Sequence, residues 1–306
     1  MANEPETASG VLPGPDAIVV GVDESDSAFD ALHWAARVAG RRAAPLHVVH
    51  ALPTPGVFLS EAAVLIQAQF TETLQEAAKQ VLARARTAME SDHPDVAFTT
   101  GAYPGPSAAA LIDVSEDAAL LVLGATGSGS IGTALVGSTG QRVANHSRCP
   151  VTICRGGRHA AADTRPVVVG VDGSELSVRA VGAAFEYASL FDVPLIVVHA
   201  WGSDRTADPH SASRLADWAA IETAERAVVS ESIAGWVEDY PDVEIVTELN
   251  QAGAGRLLLA YAKQAQLVVV GSRGRSRLAG VLLGSTSQNL VHHAPCPVMI
   301  CRDPTR

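Results

Sequence analysis

The stretch VVGVD occurs at residues 19–23 and again at residues 168–172, and it decides the architecture of the chain. Other short segments recur in the same order, among them His50-Ala51 with His199-Ala200. Self-similarity over one long period is the signature of a repeated structural unit, and 306 residues are enough for two ordinary domains. The expected organisation is a disordered lead at residues 1–15, domains at residues 16–156 and 166–303, and a linker at residues 157–165.

Apolar runs alternate with amphipathic or alanine-rich stretches in each copy. Runs such as AIVVGV (17–22) and ALLVLG (119–124) are apolar at almost every position, which is typical of strands covered on both faces. Strands that alternate with helices favour parallel sheets with right-handed crossovers, so we predict two tandem doubly wound α/β domains. The predicted strands are 17–22, 46–51, 96–101, 119–124 and 150–154 in the first copy, and 167–171, 195–200, 243–248, 267–270 and 297–301 in the second. The predicted helices of the first copy lie near 27–39, 58–90, 107–117 and 138–147.

The composition is that of a globular protein, with 47% hydrophobic and 18% charged residues. The formal net charge of -11 argues against a general binder of nucleic acid or anionic membranes, because both would repel the chain. No apolar run approaches the ~18 residues of a membrane span, and the first sixteen residues lack the basic and apolar segments of a signal peptide. We therefore expect a cytoplasmic protein.

Four cysteines form two matching pairs, in the segments CPVTIC (149–154) and CPVMIC (296–301). A zinc site with four cysteine ligands is one interpretation of such pairs. Both segments are expected strands, however, and residues five apart on a strand point to opposite faces. We therefore expect buried structural thiols and no metal ligands.

A glycine element, G-x2-G-x9-G-S, follows the fourth predicted strand of each copy, at residues 124–138 and 271–285. Its first two glycines would let the backbone turn sharply and approach a ligand closely. Its third glycine precedes the expected start of a helix, where unpaired N–H groups and the positive end of the dipole favour phosphate. The hydroxyls of Ser138-Thr139 and Ser285-Thr286 can bind phosphate oxygens or help to hold Mg²⁺. The element predicts a phosphate seat in each copy.

Two other interpretations of the glycine element remain open. The glycines could make only tight turns, with the serine as a helix N-cap. Residues 127–132 formally fit the dinucleotide fingerprint G-x-G-x-x-G, but they follow the fourth strand instead of the first, and the second copy does not reproduce the pattern. Two aligned occurrences of the full element favour the phosphate seat.

Asp23 and Asp172 each follow the first strand of their copy. A carboxylate there would repel a triphosphate unless Mg²⁺ lay between them, so we expect these side chains to accept hydrogen bonds from ribose hydroxyls or the adenine amino group. The alternative role is a helix N-cap, and both roles can hold at once. His50 and His199 lie at matching strand ends, where we expect a structural role. No repeated order of serine, histidine and aspartate predicts a catalytic residue.

The sequence resembles the universal stress protein family in its tandem, ATP-binding form. VVGVD, HVVHA, the glycine element with its following threonine, CPVTIC and their second-copy partners carry the resemblance, which covers residues 16–303. It implies a five-stranded parallel sheet of order 3-2-1-4-5 in each domain, like that of the adenine nucleotide α-hydrolases. It also implies ATP, with Mg²⁺, in each domain, and pairing through the last strands, 150–154 and 297–301, including a possible homodimer.

The resemblance places adenine near Asp23 and Ala51 and the phosphates over residues 124–130 and 138–139. The predicted site of the first copy comprises Gly21, Asp23, Ala51, Gly124, Ala125, Thr126, Gly127, Ser128, Gly129, Ser130, Gly137, Ser138 and Thr139. The predicted site of the second copy comprises Gly170, Asp172, Ala200, Gly271, Ser272, Arg273, Gly274, Arg275, Ser276, Arg277, Gly284, Ser285 and Thr286.

The two copies differ in charge beside the phosphate seat. The second has Arg273, Arg275 and Arg277 where the first has threonine and two serines. Because guanidinium groups form charge-assisted bonds to phosphate, we predict tighter triphosphate binding in the second copy, by ~1–2 kcal/mol if one such contact forms. The alternative is that these arginines are solvated and screened.

Three functions are compatible with the sequence. The first is an ATP-binding module that regulates a stress or growth response through a signalling partner that the sequence does not name. The second is a slow ATPase or phosphotransferase, which ranks lower because the repeated acidic groups are limited to Asp23 and Asp172. The third is a nucleotide-free scaffold that acts through protein contacts.

Overall fold

The computed structural model describes residues 13–53, 61–127, 136–155, 164–202, 217–275 and 283–303, and for residues 61–70 only the helical backbone. The chain divides into two compact units, one from each copy of the repeat. Most of the expected lead and linker lie outside the described residues, so their limits stay predictions.

The first unit follows the alternation of strands and helices that the sequence predicts. Its strands are β1 (Ile18–Gly21), β2 (Leu46–Leu52), β3 (Phe98–Pro104), β4 (Leu120–Gly124) and β5 (Val151–Cys154). Its helices are α1 (Asp26–Arg42), α2 (Glu61–Asp92), α3 (Ser107–Val114) and α4 (Ser138–His146).

The second unit repeats this order of elements. Its strands are β6 (Val167–Val171), β7 (Leu195–Ala200), β8 (Ile245–Asn250), β9 (Leu267–Gly271) and β10 (Val298–Cys301). Its helices are α5 (Glu175–Phe191), α6 (Trp218–Asp239), α7 (Ala254–Ala262) and α8 (Ser285–His293).

The strands of the first unit lie in the order β3-β2-β1-β4-β5, and all neighbours are parallel. The second unit has the equivalent order β8-β7-β6-β9-β10, again parallel throughout. Helix α1 packs against α2 and α3 against α4, with the same pairs α5–α6 and α7–α8 in the second unit. The predicted doubly wound fold and its 3-2-1-4-5 order are confirmed.

The central strands explain the apolar runs. Val19 and Val20 in β1 and Leu121 and Val122 in β4 have no exposed surface. Such burial requires helices on both faces of the sheet, because a solvent-facing side would leave alternate positions exposed. The apolar runs therefore place the core around β1 and β4, next to the position where the strand order reverses.

The third strand of each unit begins later than predicted. The apolar character of Val96 and Val243 predicts strand residues, but both lie in turns. The N–H of Val96 donates to the carbonyl of His93 at 3.1 Å, and that of Val243 donates to Tyr240 at 3.2 Å. An apolar residue in a tight turn after a helix looks like the first residue of a strand when only composition is considered.

In the described part of the chain, no helix combines the length and apolar character needed to cross a membrane.

Candidate functional site

A cavity of about 350 Å³ opens at the carboxyl ends of β1, β2 and β4 in the first unit. In open parallel sheets this edge binds ligands, at the position where the strand order reverses. The structure brings together most of the predicted site residues of the first copy. Those that line the cavity are Gly21, Asp23, Ala51, Gly124, Ala125, Thr126, Gly127, Gly137, Ser138 and Thr139.

The start of α4 forms one wall of this cavity. Gly137 is the N-cap residue, with φ -64° and ψ 162°, and it has no side chain to cap the helix. Its own N–H donates to the carbonyl of Ala125 at 2.9 Å, which ties the helix start to the end of β4. Residues 138–140 follow as the first turn, where N–H groups have no partner within a helix. The cavity therefore faces an uncapped helix N-terminus, a geometry that binds anions.

The second unit builds the same helix start. Gly284 caps α8 with φ -67° and ψ 157°, and its N–H donates to the carbonyl of Ser272 at 2.8 Å. Ser285 and Thr286 begin the helix, as predicted. Gly170 and Ala200 lie at the ends of β6 and β7, at the positions that correspond to Gly21 and Ala51. The two copies thus share the backbone geometry of the candidate site.

The first two glycines of the element are required by close packing within the protein. A Cβ at Gly124 would lie 2.6 Å from the backbone of Ser27 in the first turn of α1. A Cβ at Gly127 would lie 2.9 Å from Oδ2 of Asp23. The chain bends directly after Gly124, as expected, but the described glycines of the element have no positive φ. The atoms that approach most closely belong to α1 and to the aspartate.

The second unit shows the same packing with one useful difference. A Cβ at Gly271 would lie 3.0 Å from Leu176 of α5, and one at Gly274 would overlap Oδ2 of Asp172. At Gly284, by contrast, the nearest atoms lie at least 3.5 Å away, which is ordinary van der Waals contact. Gly284 therefore has room for a side chain, whereas Gly271 and Gly274 do not.

Asp23 and Asp172 organise the turn between the first strand and the first helix. Oδ1 of Asp23 accepts hydrogen bonds from the N–H and the hydroxyl of Ser25, and Ser25 itself caps α1. In the second unit Oδ1 of Asp172 accepts from the N–H of Ser174, which caps α5. The alternative role of the aspartates as N-caps is therefore wrong, because the serine two residues later takes that role in both units.

Asp172 is also bonded to the glycine loop, since its Oδ2 accepts a hydrogen bond from the N–H of Arg275 at 2.9 Å. Burial alone would raise the pKa of this carboxyl. The bonds from Ser174, Arg275 and Ser177 more than offset that effect and hold the pKa below its ordinary value. Asp172 is therefore a fixed negative charge that joins the strand end to the loop.

His50 and His199 have the structural contact expected of them. Nδ1 of His50 lies 2.8 Å from the carbonyl of Val22, and Nδ1 of His199 lies 2.7 Å from that of Val171. Each ring thus links the second strand to the end of the first. His199 makes a further contact, because its Nε2 lies 2.6 Å from Oε2 of Glu225 in α6.

Sequence reasoning missed several residues of the cavity. Val22, Ala28, Val49, Ser107, Leu111 and Gly140 also line it. Ser107 begins α3, and the Gly105-Pro106 pair before it was a signal for a helix start at this edge of the sheet. Ser27 was missed too, although its hydroxyl accepts a hydrogen bond from the N–H of Thr126 at 3.3 Å. Nothing in the local sequence pointed to that contact, because its partners are far apart along the chain.

Some predicted site residues lie outside the described residues: Ser128, Gly129, Ser130, Ser276 and Arg277. Arg273 and Arg275 are described. The guanidinium of Arg275 lies 3.8 Å from Oε2 of Glu225. Its predicted role as a phosphate ligand stays a prediction.

All four cysteines are buried, as expected of structural thiols, and none forms a disulfide bond. Burial raises the pKa of Cys301 to about 12, and it raises that of Cys154 as well. Thiols that hold their protons this strongly are poor nucleophiles and poor metal ligands.

The fold and the site define a protein with two doubly wound α/β domains and an uncapped helix N-terminus at the switch point of each. The sequence profile of the universal stress protein family matches residues 15–155 and 164–302. A universal stress protein of Mycolicibacterium smegmatis is 36% identical over 289 residues, covering 93% of this chain and 96% of its own. One from Mycobacterium tuberculosis is 34% identical over 295 residues, covering 94% and 96%. The chain therefore belongs to the universal stress protein family.

A solved structure supports the fold independently of the sequence match. The crystal structure of a universal stress protein from Archaeoglobus fulgidus superimposes with a TM-score of 0.68 over 94% of this chain and 99% of that one. At 21% identity, this likeness concerns the fold alone.

Proposed function

We propose that the protein binds one ATP molecule in each domain and acts as a nucleotide-dependent regulator of a stress or growth response. The observation that carries this proposal is the uncapped start of α4, which faces a cavity at the switch point of the sheet. Three N–H groups of its first turn are available to phosphate oxygens. The matching start of α8 supports the same role in the second domain.

The cavity has the composition of a site for a molecule with an apolar ring and an anionic tail. Val49, Leu111 and Leu123 contribute apolar surface, and the glycine loop and helix start contribute polar backbone groups. Its volume of about 350 Å³ lies within the ~300–1,000 Å³ range of small-molecule sites. Ala51 and Asp23 lie at the strand ends where the family resemblance places adenine.

Magnesium fits this proposal as part of the nucleotide complex. Within the described residues, no group of three or more His, Cys, Asp or Glu side chains could hold a metal by itself. Mg²⁺ usually keeps several waters and is held by phosphate oxygens with one or two protein groups. The hydroxyls of Ser138 and Thr139, which line the cavity, would supply those groups.

The described lining favours binding over turnover. Asp23 is the carboxylate of that lining, and its Oδ1 already accepts two hydrogen bonds from Ser25. A base engaged in this way is poorly placed to activate water. Slow hydrolysis therefore ranks below binding, and a steady-state turnover well above once per minute would reverse that order.

The identity of the ligand can be tested directly. Protein purified without added nucleotide is denatured, and the released small molecules are identified by mass spectrometry. We expect ATP or ADP, and we expect Mg-ATP to stabilise ligand-free protein by ~2.7 kcal/mol at one hundred times Kd. Protein that releases no nucleotide and shows no thermal shift with Mg-ATP would support the scaffold hypothesis instead.

Pairing between two copies through the last strands, β5 and β10, also belongs to this proposal. Light scattering after size exclusion would report twice the 31.7 kDa of one chain. A single-chain mass at micromolar concentration would remove the homodimer from the proposal and leave nucleotide binding untouched.

A further inference from the structure

Glu225 is a carboxylate on the inward face of a helix where the first copy has an alanine. Aligning the ends of α2 and α6, Asp92 and Asp239, places Ala78 opposite Glu225. Ala78 is 2% exposed, and the Glu225 side chain is 20% exposed. A charged group at such a position needs partners, because removing it from water is costly.

One partner of Glu225, Arg275, belongs to the predicted site of the second copy, and the other, His199, immediately precedes Ala200 of that site. Oε2 of Glu225 lies 2.6 Å from Nε2 of His199, which is 1% exposed, and 3.8 Å from Nη2 of Arg275. Nδ1 of His199 is occupied by the carbonyl of Val171, so the ring is held in place from both sides. Glu225 therefore connects α6 to the end of β7 and to the glycine loop.

The side chain of Arg275 reaches Glu225 by crossing the turn between β6 and α5. Its N–H is bonded to Asp172, while its guanidinium passes over Gly173, where a Cβ would lie 3.3 Å from Nη2. The same Cβ would lie 2.9 Å from Val228 of α6. Gly173 has a φ of 75°, a conformation that favours glycine, so the crossing depends on the absence of a side chain there.

Three positions thus differ together between the two copies. The second has Gly173, Glu225 and Arg275, and the first has Glu24, Ala78 and Ser128 in their places. Each of the three residues is needed for the contact: the arginine and the glutamate make it, and the glycine leaves room for it. The first copy cannot form this contact because its sequence has neither the arginine nor the glutamate at these positions.

We propose that Glu225 competes with the phosphates of the nucleotide for the guanidinium of Arg275 and thereby sets the affinity of the second site. Arg275 lies one residue after the second glycine of the phosphate loop, so it exchanges one anionic partner for another when a nucleotide binds. The side chain is 53% exposed, which leaves it free to move. The inference rests on the proposed function.

The test measures Mg-ATP binding by calorimetry in the full-length chain, with the first site disabled by Gly137→Asp. We expect Glu225→Gln to strengthen binding at the second site about threefold to fivefold, because an ion pair of this exposure contributes up to ~1 kcal/mol. Glu225→Ala should act in the same direction, since the first domain accepts alanine at this position. The control is Glu222→Gln, which removes the same charge from the same helix where it pairs with Arg226.

The decisive readout is the dependence on Arg275. In an Arg275→Gln background, Glu225→Gln should change the affinity no more than Glu222→Gln does, about 1.5-fold or less. An equal gain with and without the arginine would overturn the inference, because the effect would then be long-range charge. Binding that weakens in both Glu225 variants, with thermal unfolding unchanged, would also overturn it. Absence of Mg-ATP binding in every variant would instead overturn the proposed function.

Discussion

Close packing at single residues explains the first two glycines of the repeated element. Gly124 lies against the backbone of Ser27, and Gly127 lies against the carboxylate of Asp23. A backbone neighbour cannot yield without moving the first turn of α1, whereas a carboxylate can rotate. The two glycines therefore differ in how much their replacement should disturb the fold.

Gly124→Ala should destabilise the first domain by ~1–3 kcal/mol, because its Cβ would lie 2.6 Å from the carbonyl carbon and oxygen of Ser27. Gly284→Ala is the control, since its Cβ would meet nothing closer than 3.5 Å and should change stability by no more than ~0.5 kcal/mol. Urea unfolding followed by circular dichroism measures both. Equal stability of the two variants would contradict the packing argument.

Asp172 gives the second domain a stability that depends on pH. Because its pKa in the folded protein lies below the ordinary 3.8, the stabilisation is fully present above that value and is lost as the pH falls through the lowered pKa. Asp172→Asn should therefore be less stable than the natural protein near pH 7, and the difference should shrink toward about pH 3. Urea midpoints across this range test it. A difference that stays constant with pH would show that hydrogen-bond geometry, and not charge, is responsible.

At the scale of elements, the first and the last helix of each unit begin in different ways. Helices α1 and α5 start with a serine whose side chain accepts a backbone N–H, at Ser25 and Ser174. Helices α4 and α8 start with glycine and have no capping side chain. A capping side chain contributes ~1 kcal/mol, so its absence at both candidate phosphate seats leaves N–H groups available for a ligand.

Adding a capping side chain to α8 should raise the stability of the protein and weaken its binding of Mg-ATP. Gly284 has the extended conformation of an N-cap and room for a side chain, so Gly284→Asp should stabilise ligand-free protein by ~0.5–1 kcal/mol. The same carboxylate would occupy the N–H groups and repel phosphate, so Mg-ATP binding at the second site should fall at least tenfold. Thermal unfolding and calorimetry measure the two effects, with Gly284→Ala as the control that adds no charge. Unchanged ATP affinity in Gly284→Asp would exclude the helix start as the phosphate seat.

At the scale of the whole molecule, the repeat gives the chain two candidate sites, whose helix starts share one backbone geometry and whose surrounding side chains differ. The matching N-cap geometries of Gly137 and Gly284 indicate equal capacity to bind, while Arg275 and Glu225 indicate different affinities. The profile of the universal stress protein family matches each domain separately, so the chain carries two domains of this family.

The expected stoichiometry is two ATP per chain. Gly137→Asp and Gly284→Asp should each reduce it to one, and the double variant should bind none, because each change blocks one helix start. Calorimetry on ligand-free protein counts the sites. One ATP in the natural protein that disappears in only one of the single variants would restrict the function to that domain.

The sequence by itself determined the repeat, the fold class and the location of the candidate seat. Those features depend on residues that are close together in the sequence. Apolar runs indicate buried strands, as at residues 119–124, and a glycine followed by Ser-Thr indicates a helix start, as at residues 137–139. Hydrophobic periodicity and turn-forming residues act over a few positions, so they can be recognised from the sequence alone. The same local logic misplaced the start of β3 and β8, because a turn can also hold an apolar residue.

The tertiary structure alone decided which side chains meet. Ser27 against Gly124, and Glu225 against His199 and Arg275, are pairs brought together from distant parts of the chain by parallel strands and their crossovers. No local pattern records such a contact, since packing depends on the path of the whole backbone. That is why the packing reason for the glycines, and the carboxylate beside the second candidate site, became visible only in the folded protein.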